Sequence, residues 1–203
     1  MPHLYDQPRE PNFYYDNHFK TDAVKILPGE YYATARPMMI VTALGSCVSA
    51  CIRDKSSLIG GMNHFMLPFI SDFGESDQTS ARYGTYAMEI LINHLLEMGA
   101  QRKNLEAKVF GGGSLLKGIT VDKVGERNAA FVRHYLGKEH IPIVAEDLLG
   151  VYPRKIYFFP EHGTVKVKKL IRLHNDTIIQ REQEHRKRMC DEEMTSATVD
   201  LFP

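Results

Sequence analysis

Short apolar runs separated by turn residues predict strands in the first third of the chain. Residues 38–44 form a continuous apolar run typical of a buried strand, and residues 48–52 predict its continuation after a turn. Residues 58–66 predict a further strand that contains two adjacent glycines. The Ser-, Asp-, Gly- and Glu-rich residues 71–80 predict a loop.

The rest of the domain mixes helical and strand patterns. Apolar residues recur at helical spacing after a predicted N-cap at Ser80, and Gly99 predicts the end of this helix. A second helix is predicted over residues 126–136, with Gly137 at its end. Further strands are predicted over residues 105–109, 141–145, 154–159 and 164–170. The last two form a hairpin, because a Pro-Glu-His-Gly turn separates them.

Three segments follow from these patterns. Residues 1–22, which contain several prolines and lack apolar periodicity, predict a mobile N-terminal arm. Residues 23–172 predict a single domain, because the chain has no internal linker long enough to separate two. Residues 173–203 predict a charged tail that is either a solvated helix or disordered. Strands interleaved with two helices and closed by a hairpin favour an α+β fold.

Composition narrows the function classes. The chain of 203 residues carries 25 Lys and Arg against 25 Asp and Glu, so its zero formal net charge provides no field that attracts nucleic acid or an anionic membrane. The sequence has no long apolar run and no signal-like amino terminus, so we expect a cytoplasmic protein without membrane insertion. Its three cysteines are too few for a disulfide framework and are expected to remain thiols.

The strongest local signal for chemistry is the segment 44–47, where a strand meets Gly45 and Ser46 just before Cys47. Glycine allows a sharp turn that places the sulfur beside converging backbone amides, as in an oxyanion hole. His64 follows on a strand that could pair with the one carrying Cys47, which brings an imidazole within reach of the thiol. The alternatives are a small buried cysteine and a hydrogen-bonded structural histidine.

Other candidate groups have structural interpretations. Cys51 is assigned to the core and Cys190 to the exposed tail, and the spacing of the cysteines and His64 does not match a zinc site. No cofactor is expected. The three glycines 111–113 do not match a phosphate-binding loop and favour a close approach to a neighbouring strand or a substrate. The polar segments 126–128 and 146–147 are buried hydrogen-bonding pairs, ordinary surface charge or a partner site.

Six ordered stretches resemble the chemoreceptor glutamine deamidases (CheD) of bacterial chemotaxis. They are Leu-Gly-Ser-Cys-Val at 44–48, Gly-Met-Asn-His-Phe-Met-Leu-Pro at 61–68, Arg-Tyr-Gly at 82–84, Glu-Ala-Lys-Val-Phe-Gly-Gly at 106–112, Gly-Glu-Arg-Asn at 125–128 and Ala-Glu-Asp at 145–147. The resemblance implies two mixed β-sheets packed together with flanking helices, similar to the catalytic domain of the cytotoxic necrotizing factors.

The resemblance also implies a mechanism. Cys47 matches the family's nucleophile and His64 its general base, while the position of the family's catalytic threonine falls on Val41. Thr42 lies one residue nearer, and a one-residue slip in a strand moves a side chain to the opposite face. Thr42 is carried over as the residue that would orient His64 if the register is shifted by one residue, with a backbone carbonyl as the alternative. The amides of Gly45, Ser46 and Cys47 are carried over as oxyanion donors.

The family's substrates are glutamine side chains on methyl-accepting chemotaxis receptors, so the implied reaction is amide hydrolysis to glutamate and ammonia through a Cys-His thioester. The alternative is a regulatory binding module that docks on receptors or on a CheC-type phosphatase with little catalysis, which the Val41 position favours. A papain-like protease is a third interpretation, although the surroundings of Cys47 lack the Cys-Gly-x-Cys-Trp pattern.

Overall fold

The computed structural model describes residues 11–68, 77–114, 124–171 and 176–197. Within these ranges the chain forms ten strands and three helices. The strands are β1 (Asn12–Asp16), β2 (Thr21–Lys25), β3 (Tyr31–Thr34), β4 (Met39–Leu44), β5 (Val48–Asp54), β6 (Gly60–Asn63), β7 (Leu105–Gly111), β8 (Ile143–Leu148), β9 (Arg154–Phe159) and β10 (Thr164–Lys169). The helices are α1 (Asp77–Glu97), α2 (Val124–Lys138) and α3 (Asp176–Ala197).

The strands form two sheets of five. The first has the order β1-β2-β4-β9-β10, and the second the order β3-β6-β5-β7-β8. Each sheet is mixed, because β2 is parallel to β4 and β7 is parallel to β8 while their other pairs are antiparallel. The expected α+β fold with two mixed sheets and flanking helices is confirmed.

Alternation along the strands gives each sheet an inner and an outer face. Ile40 and Phe158 of the first sheet pack with Met62 and Phe110 of the second in one buried cluster, which is the core between the sheets. The other face of the second sheet packs against α1 and α2 through apolar side chains that include Leu91. The strands β5 and β6 are therefore buried on both faces, whereas the edge strand β8 is largely exposed.

Several boundaries differ from the sequence predictions. Residues 12–16 of the expected N-terminal arm form the edge strand β1. The sequence did not predict it, because backbone pairing with β2 stabilises this strand without an alternating apolar pattern. Ser80 is not an N-cap but lies inside α1, which begins at Asp77. Residues 71–76 of the predicted loop lie outside the described residues. The predicted hairpin is confirmed, with β9 and β10 paired along their whole length.

The charged tail contains one helix with an uneven surface. Most described side chains of α3 are exposed, whereas Glu182, His185 and Met189 are buried. Their spacing places them on one side of the helix, so this side faces the domain. None of the helices in the described ranges is long and apolar enough to cross a membrane.

Candidate active site

Cys47 occupies the turn between β4 and β5 and is fully buried. Two backbone hydrogen bonds fix this turn from the adjoining glycine segment. The amide of Gly112 donates to the Cys47 carbonyl at 2.8 Å, and the amide of Gly113 donates to the Gly45 carbonyl at 2.7 Å. The position of the sulfur therefore depends on a neighbouring piece of backbone.

The glycines make this close approach possible. Gly111 has φ of +109°, and a Cβ built there would lie 2.2 Å from the Cys47 carbonyl oxygen. Neither the conformation nor the space accepts a side chain. The three glycines 111–113 thus support the Cys47 turn, in agreement with the predicted close approach to a neighbouring strand.

His64 follows β6 and projects toward the same face as Cys47. Val48 and Phe65 form an isolated antiparallel bridge, so Cys47 and His64 flank that pair on its opposite face. The backbone of His64 is also fixed by the loop before β3, because its carbonyl accepts from Gly29 at 2.8 Å and its amide donates to Glu30 at 2.9 Å.

Thr42 of β4 contacts the His64 ring at its Nδ1 atom. Its Oγ1 is 2.7 Å from Nδ1 of His64 and donates its proton to the carbonyl of Ile26 at 2.9 Å. Since the hydroxyl has a single proton, we infer that Nδ1 carries a hydrogen and donates it to Thr42. This tautomer leaves the lone pair on Nε2, as a general base requires.

Strand alternation explains why Thr42, and not Val41, reaches the histidine. Thr42 shares the inner face of β4 with Ile40 and Leu44, whereas Val41 packs with Met39 in a separate cluster on the outer face. The hydroxyl at position 42 therefore points into the space between the sheets.

Cys47, His64 and Glu182 converge, with ligand atoms of the three side chains within 4.8 Å of one another. Oε1 of Glu182 accepts hydrogen bonds from the amides of Gly45 at 2.8 Å and Cys47 at 3.1 Å. Its Oε2 accepts from the amide of Ser46 at 2.9 Å and from the Ser46 hydroxyl at 2.7 Å. The three predicted oxyanion donors thus surround one carboxylate.

Sequence reasoning missed Glu182. It lies in the charged tail among Arg181, Gln183 and Glu184, and a single buried carboxylate in such a run has no distinguishing pattern. The signal that could have found it is helical spacing, because Ile178, Glu182 and Met189 lie on one side of an otherwise polar helix.

Burial controls the protonation of the site. Desolvation, followed by the charge of Glu182 and its hydrogen bond with the thiol, raises the pKa of Cys47 well above its usual value. Desolvation and the neighbouring His185 lower the pKa of His64 to about 3. In this arrangement Cys47 is a thiol and His64 a neutral imidazole at physiological pH.

The predicted polar segments include groups that hold the site together. Asn128 of α2 donates to the Ser46 carbonyl at 2.9 Å and accepts from the Leu67 amide at 2.9 Å. Asp147 accepts from Arg154 at 2.9 Å, and Arg154 also donates to the Gly111 carbonyl at 3.1 Å. The interpretation as buried hydrogen-bonding groups is correct for Asn128, whereas Asp147 is 31% exposed and Glu146 forms an exposed ion pair with Arg133.

The remaining cysteines stand apart from this cluster. Cys51 is buried in the core between the sheets, as predicted. The side chain of Cys190 lies outside the described residues. Among the side chains that the structure describes, Cys47, His64 and Glu182 are the group that could hold a metal ion, although both oxygens of Glu182 already accept hydrogen bonds from the Cys47 turn.

The arrangement defines a chemical class. A cysteine hydrolase that passes through a tetrahedral intermediate needs a thiol close to an oriented imidazole and backbone amides that converge on one point. These groups are present here. In this α+β domain both sheets contribute to the site. Thr42 comes from the first sheet, and His64 from the end of a strand in the second.

Comparison with known proteins identifies the family. The family model described as CheD chemotactic sensory transduction matches residues 66–169. A probable chemoreceptor glutamine deamidase CheD 1 of Shewanella oneidensis is 60% identical over 181 residues, which are 89% of this chain and 88% of the relative. The corresponding proteins of Thiobacillus denitrificans and Dechloromonas aromatica are 59% and 54% identical, over 94% and 100% of this chain and 95% and 100% of theirs. The chain belongs to the CheD family.

Proposed function

We propose that the protein hydrolyses glutamine side-chain amides of methyl-accepting chemotaxis receptors to glutamate and ammonia. The observations that carry this proposal are the hydrogen bond between Thr42 and His64 and the position of the Cys47 sulfur within 4.8 Å of a ring nitrogen of His64, beside amides that converge on one point. Relatives that are probable chemoreceptor glutamine deamidases, similar over nearly their whole length, support the choice of substrate.

The reaction begins at the sulfur. Nε2 of His64 removes the proton of Cys47, and the thiolate attacks the amide carbon of the glutamine. A C–S bond forms while the carbonyl oxygen becomes an oxyanion that the amides of Gly45 and Cys47 stabilise. His64 then protonates the amide nitrogen, the C–N bond breaks and ammonia leaves.

Hydrolysis of the thioester completes the cycle. A water molecule gives a proton to His64 and attacks the thioester carbon, after which the C–S bond breaks and the proton returns to the sulfur. The product is a glutamate that adds one negative charge to the receptor. Thr42 holds the ring in the tautomer that both steps need.

The test is deamidation of a receptor cytoplasmic fragment, followed by peptide mass analysis that detects each amide-to-acid exchange. The wild type is expected to convert selected glutamines, and Cys47→Ala is expected to convert none. Cys51→Ala is the matched control, because it removes a buried thiol from the same region without touching His64. Full activity in Cys47→Ala would show that Cys47 is not the nucleophile. A wild type that converts no glutamine would overturn the whole proposal.

The proposal extends to location and partners. Chemotaxis receptors present these glutamines on cytoplasmic helices, so the protein acts in the cytoplasm, and a CheC-type phosphatase is a second proposed partner. The alternative of a binding module without catalysis was motivated by Val41 at the expected threonine position. The hydrogen bond between Thr42 and His64 supports the catalytic proposal over this alternative.

A further inference from the structure

Glu182 has the side chain that the proposed reaction produces. It is a glutamate presented by a helix, α3, and its carboxylate lies against Cys47 and His64. A deamidated receptor glutamine would end in the same chemical group on the same kind of secondary structure. The site is therefore occupied by a group with the chemistry of its own product.

The contacts of the carboxylate match those of a bound product. Oε1 lies where the amides of Gly45 and Cys47 would hold an oxyanion, at 2.8 and 3.1 Å. Oε2 takes two further donors from Ser46, at 2.9 and 2.7 Å. Hydrogen bonds to an ionised acceptor are the strong ones, so four of them form a specific anchor for Glu182.

This anchor opposes catalysis in two ways. The carboxylate fills the position that a substrate carbonyl must take, and Cys47 is fully buried beneath it. Its negative charge and its hydrogen bond to the sulfur also raise the pKa of the Cys47 thiol, which disfavours the reactive thiolate.

Apart from Glu182, few of the described side chains of α3 are buried. Of its described side chains, His185 and Met189 are the other buried ones, and His185 lies so close to Gly29 that a Cβ there would be 2.8 Å from its ring. Ile178 and Arg181 line a narrow cavity with Thr42 and His64. Elements with few buried apolar contacts open at low free-energy cost.

We propose that α3 is an intramolecular product mimic, in which Glu182 holds the place of the product glutamate and keeps the site closed until a receptor helix displaces it. The inference rests on the proposed function, because it takes the glutamate as the product. It adds a regulation of the same site by this chain's own C-terminal helix.

One consequence is chemical. In a Glu182→Gln variant the site would hold its own substrate, so Cys47 would attack the side-chain amide of residue 182 and form a thioester with loss of ammonia. Water would then cleave the C–S bond and leave glutamate at position 182. The variant would convert itself back to the natural sequence.

The first experiment measures access to the sulfur. Iodoacetamide alkylates a free thiol, with formation of an S–C bond and departure of iodide, and the modified Cys47 is quantified by peptide mass analysis. Loss of the anchoring hydrogen bonds in Glu182→Ala is expected to raise the alkylation rate about tenfold or more, the factor that one charge-assisted hydrogen bond represents. Glu184→Ala, which removes an exposed carboxylate from the same helix, is expected to react like the wild type. Equal rates in Glu182→Ala and wild type would overturn the inference.

The second experiment follows residue 182 in the Glu182→Gln variant. Glutamate at this position, or a thioester with Cys47, is expected in the variant and absent when Cys47→Ala is added. Gln183, an exposed glutamine beside it, is the internal control and is expected to stay unchanged. A glutamine retained at position 182 in a preparation that deamidates receptors contradicts the product mimic.

The two proposals fail separately. If the wild type deamidates receptors while neither Cys47 reactivity nor residue 182 responds as described, the product mimic is wrong and the enzymatic function stands. If no receptor is deamidated by wild type or by Glu182→Ala, the proposed function is wrong. Circular dichroism of each variant verifies that it is folded.

Discussion

Thr42 and His64 join the two sheets through one buried hydrogen bond of 2.7 Å between Oγ1 and Nδ1. Thr42 belongs to β4 of the first sheet, and His64 follows β6 of the second. The proposed base is therefore oriented only when the sheets pack correctly. A neutral hydroxyl stabilises an imidazolium less than a carboxylate does, so slow turnover is expected.

Thr42→Val tests this hydrogen bond. Valine has nearly the same shape but cannot accept the Nδ1 proton, so the imidazole loses its orientation and preferred tautomer. The expected loss is about tenfold in kcat, since one hydrogen bond is worth about 1.4 kcal/mol. The measurement is the initial rate of receptor deamidation by mass analysis, with the thermal unfolding midpoint determined in parallel.

Two companion variants make the result specific. Thr42→Ser keeps the hydroxyl and is expected to retain most of the activity. The double variant Val41→Thr, Thr42→Val places a hydroxyl on the outer face of β4 and is expected to remain as slow as Thr42→Val. Wild-type turnover in Thr42→Val, or rescue by Val41→Thr, would show that Thr42 does not orient His64.

The burial of His64 makes folding depend on pH. Its pKa is lowered to about 3 in the folded protein, against about 6.5 in an unfolded chain, so the unfolded state binds more protons between these values. His64 therefore costs no folding free energy well above pH 6.5, where it is neutral in both states. As the pH falls from 6.5 toward 3, protonation of the unfolded chain lowers the free energy of unfolding. From pH 7 to pH 5 this one group is expected to remove about 2 kcal/mol from the free energy of unfolding.

The check is urea unfolding at both pH values in the wild type and in His64→Gln. The titratable groups around His64 include Cys47 before β5 and Glu182 and His185 on α3, with Lys25 and Arg181 lining the same cavity, and all of them are retained in the variant. The difference between the two pH values is therefore expected to be about 2 kcal/mol smaller in His64→Gln. An identical pH dependence in the two proteins would mean that His64 is not held neutral.

Sequence patterns predicted what depends on local periodicity. The apolar runs located β4, β5 and the hairpin of β9 and β10, and the motif residues located Cys47 and His64. They missed β1, because an edge strand with mostly exposed side chains gains its stability from backbone pairing with β2. They also missed Glu182, because its burial arises from long-range contact between α3 and the Cys47 turn.

Gly111→Ala tests how far the Cys47 turn depends on the adjoining glycines. With φ of +109° and a built Cβ 2.2 Å from the Cys47 carbonyl oxygen, alanine must displace the turn. The expected cost is about 2–4 kcal/mol in the free energy of unfolding, together with loss of deamidation. Gly137→Ala is the matched control, since its Cβ meets nothing within 4 Å in α2 and is expected to add about 0.5–1 kcal/mol of stability. A neutral effect of Gly111→Ala would show that the turn is not constrained from this side.

Arg154 and Arg133 each contact a carboxylate on β8, but only Arg154 is buried. The Arg154 side chain is 4% exposed and donates to Asp147 and to the carbonyls of Gly111 and Leu149, whereas Arg133 and Glu146 are each 42% exposed. Arg154→Met removes hydrogen bonds from the partly exposed Asp147 and from the carbonyls of Gly111 and Leu149, so about 2–3 kcal/mol of stability is expected to be lost. Arg133→Met is expected to change stability by less than about 1 kcal/mol, because water screens an exposed pair. Chemical denaturation of both variants measures the difference, and equal costs would contradict a role for Arg154 in joining the sheets behind the Cys47 turn.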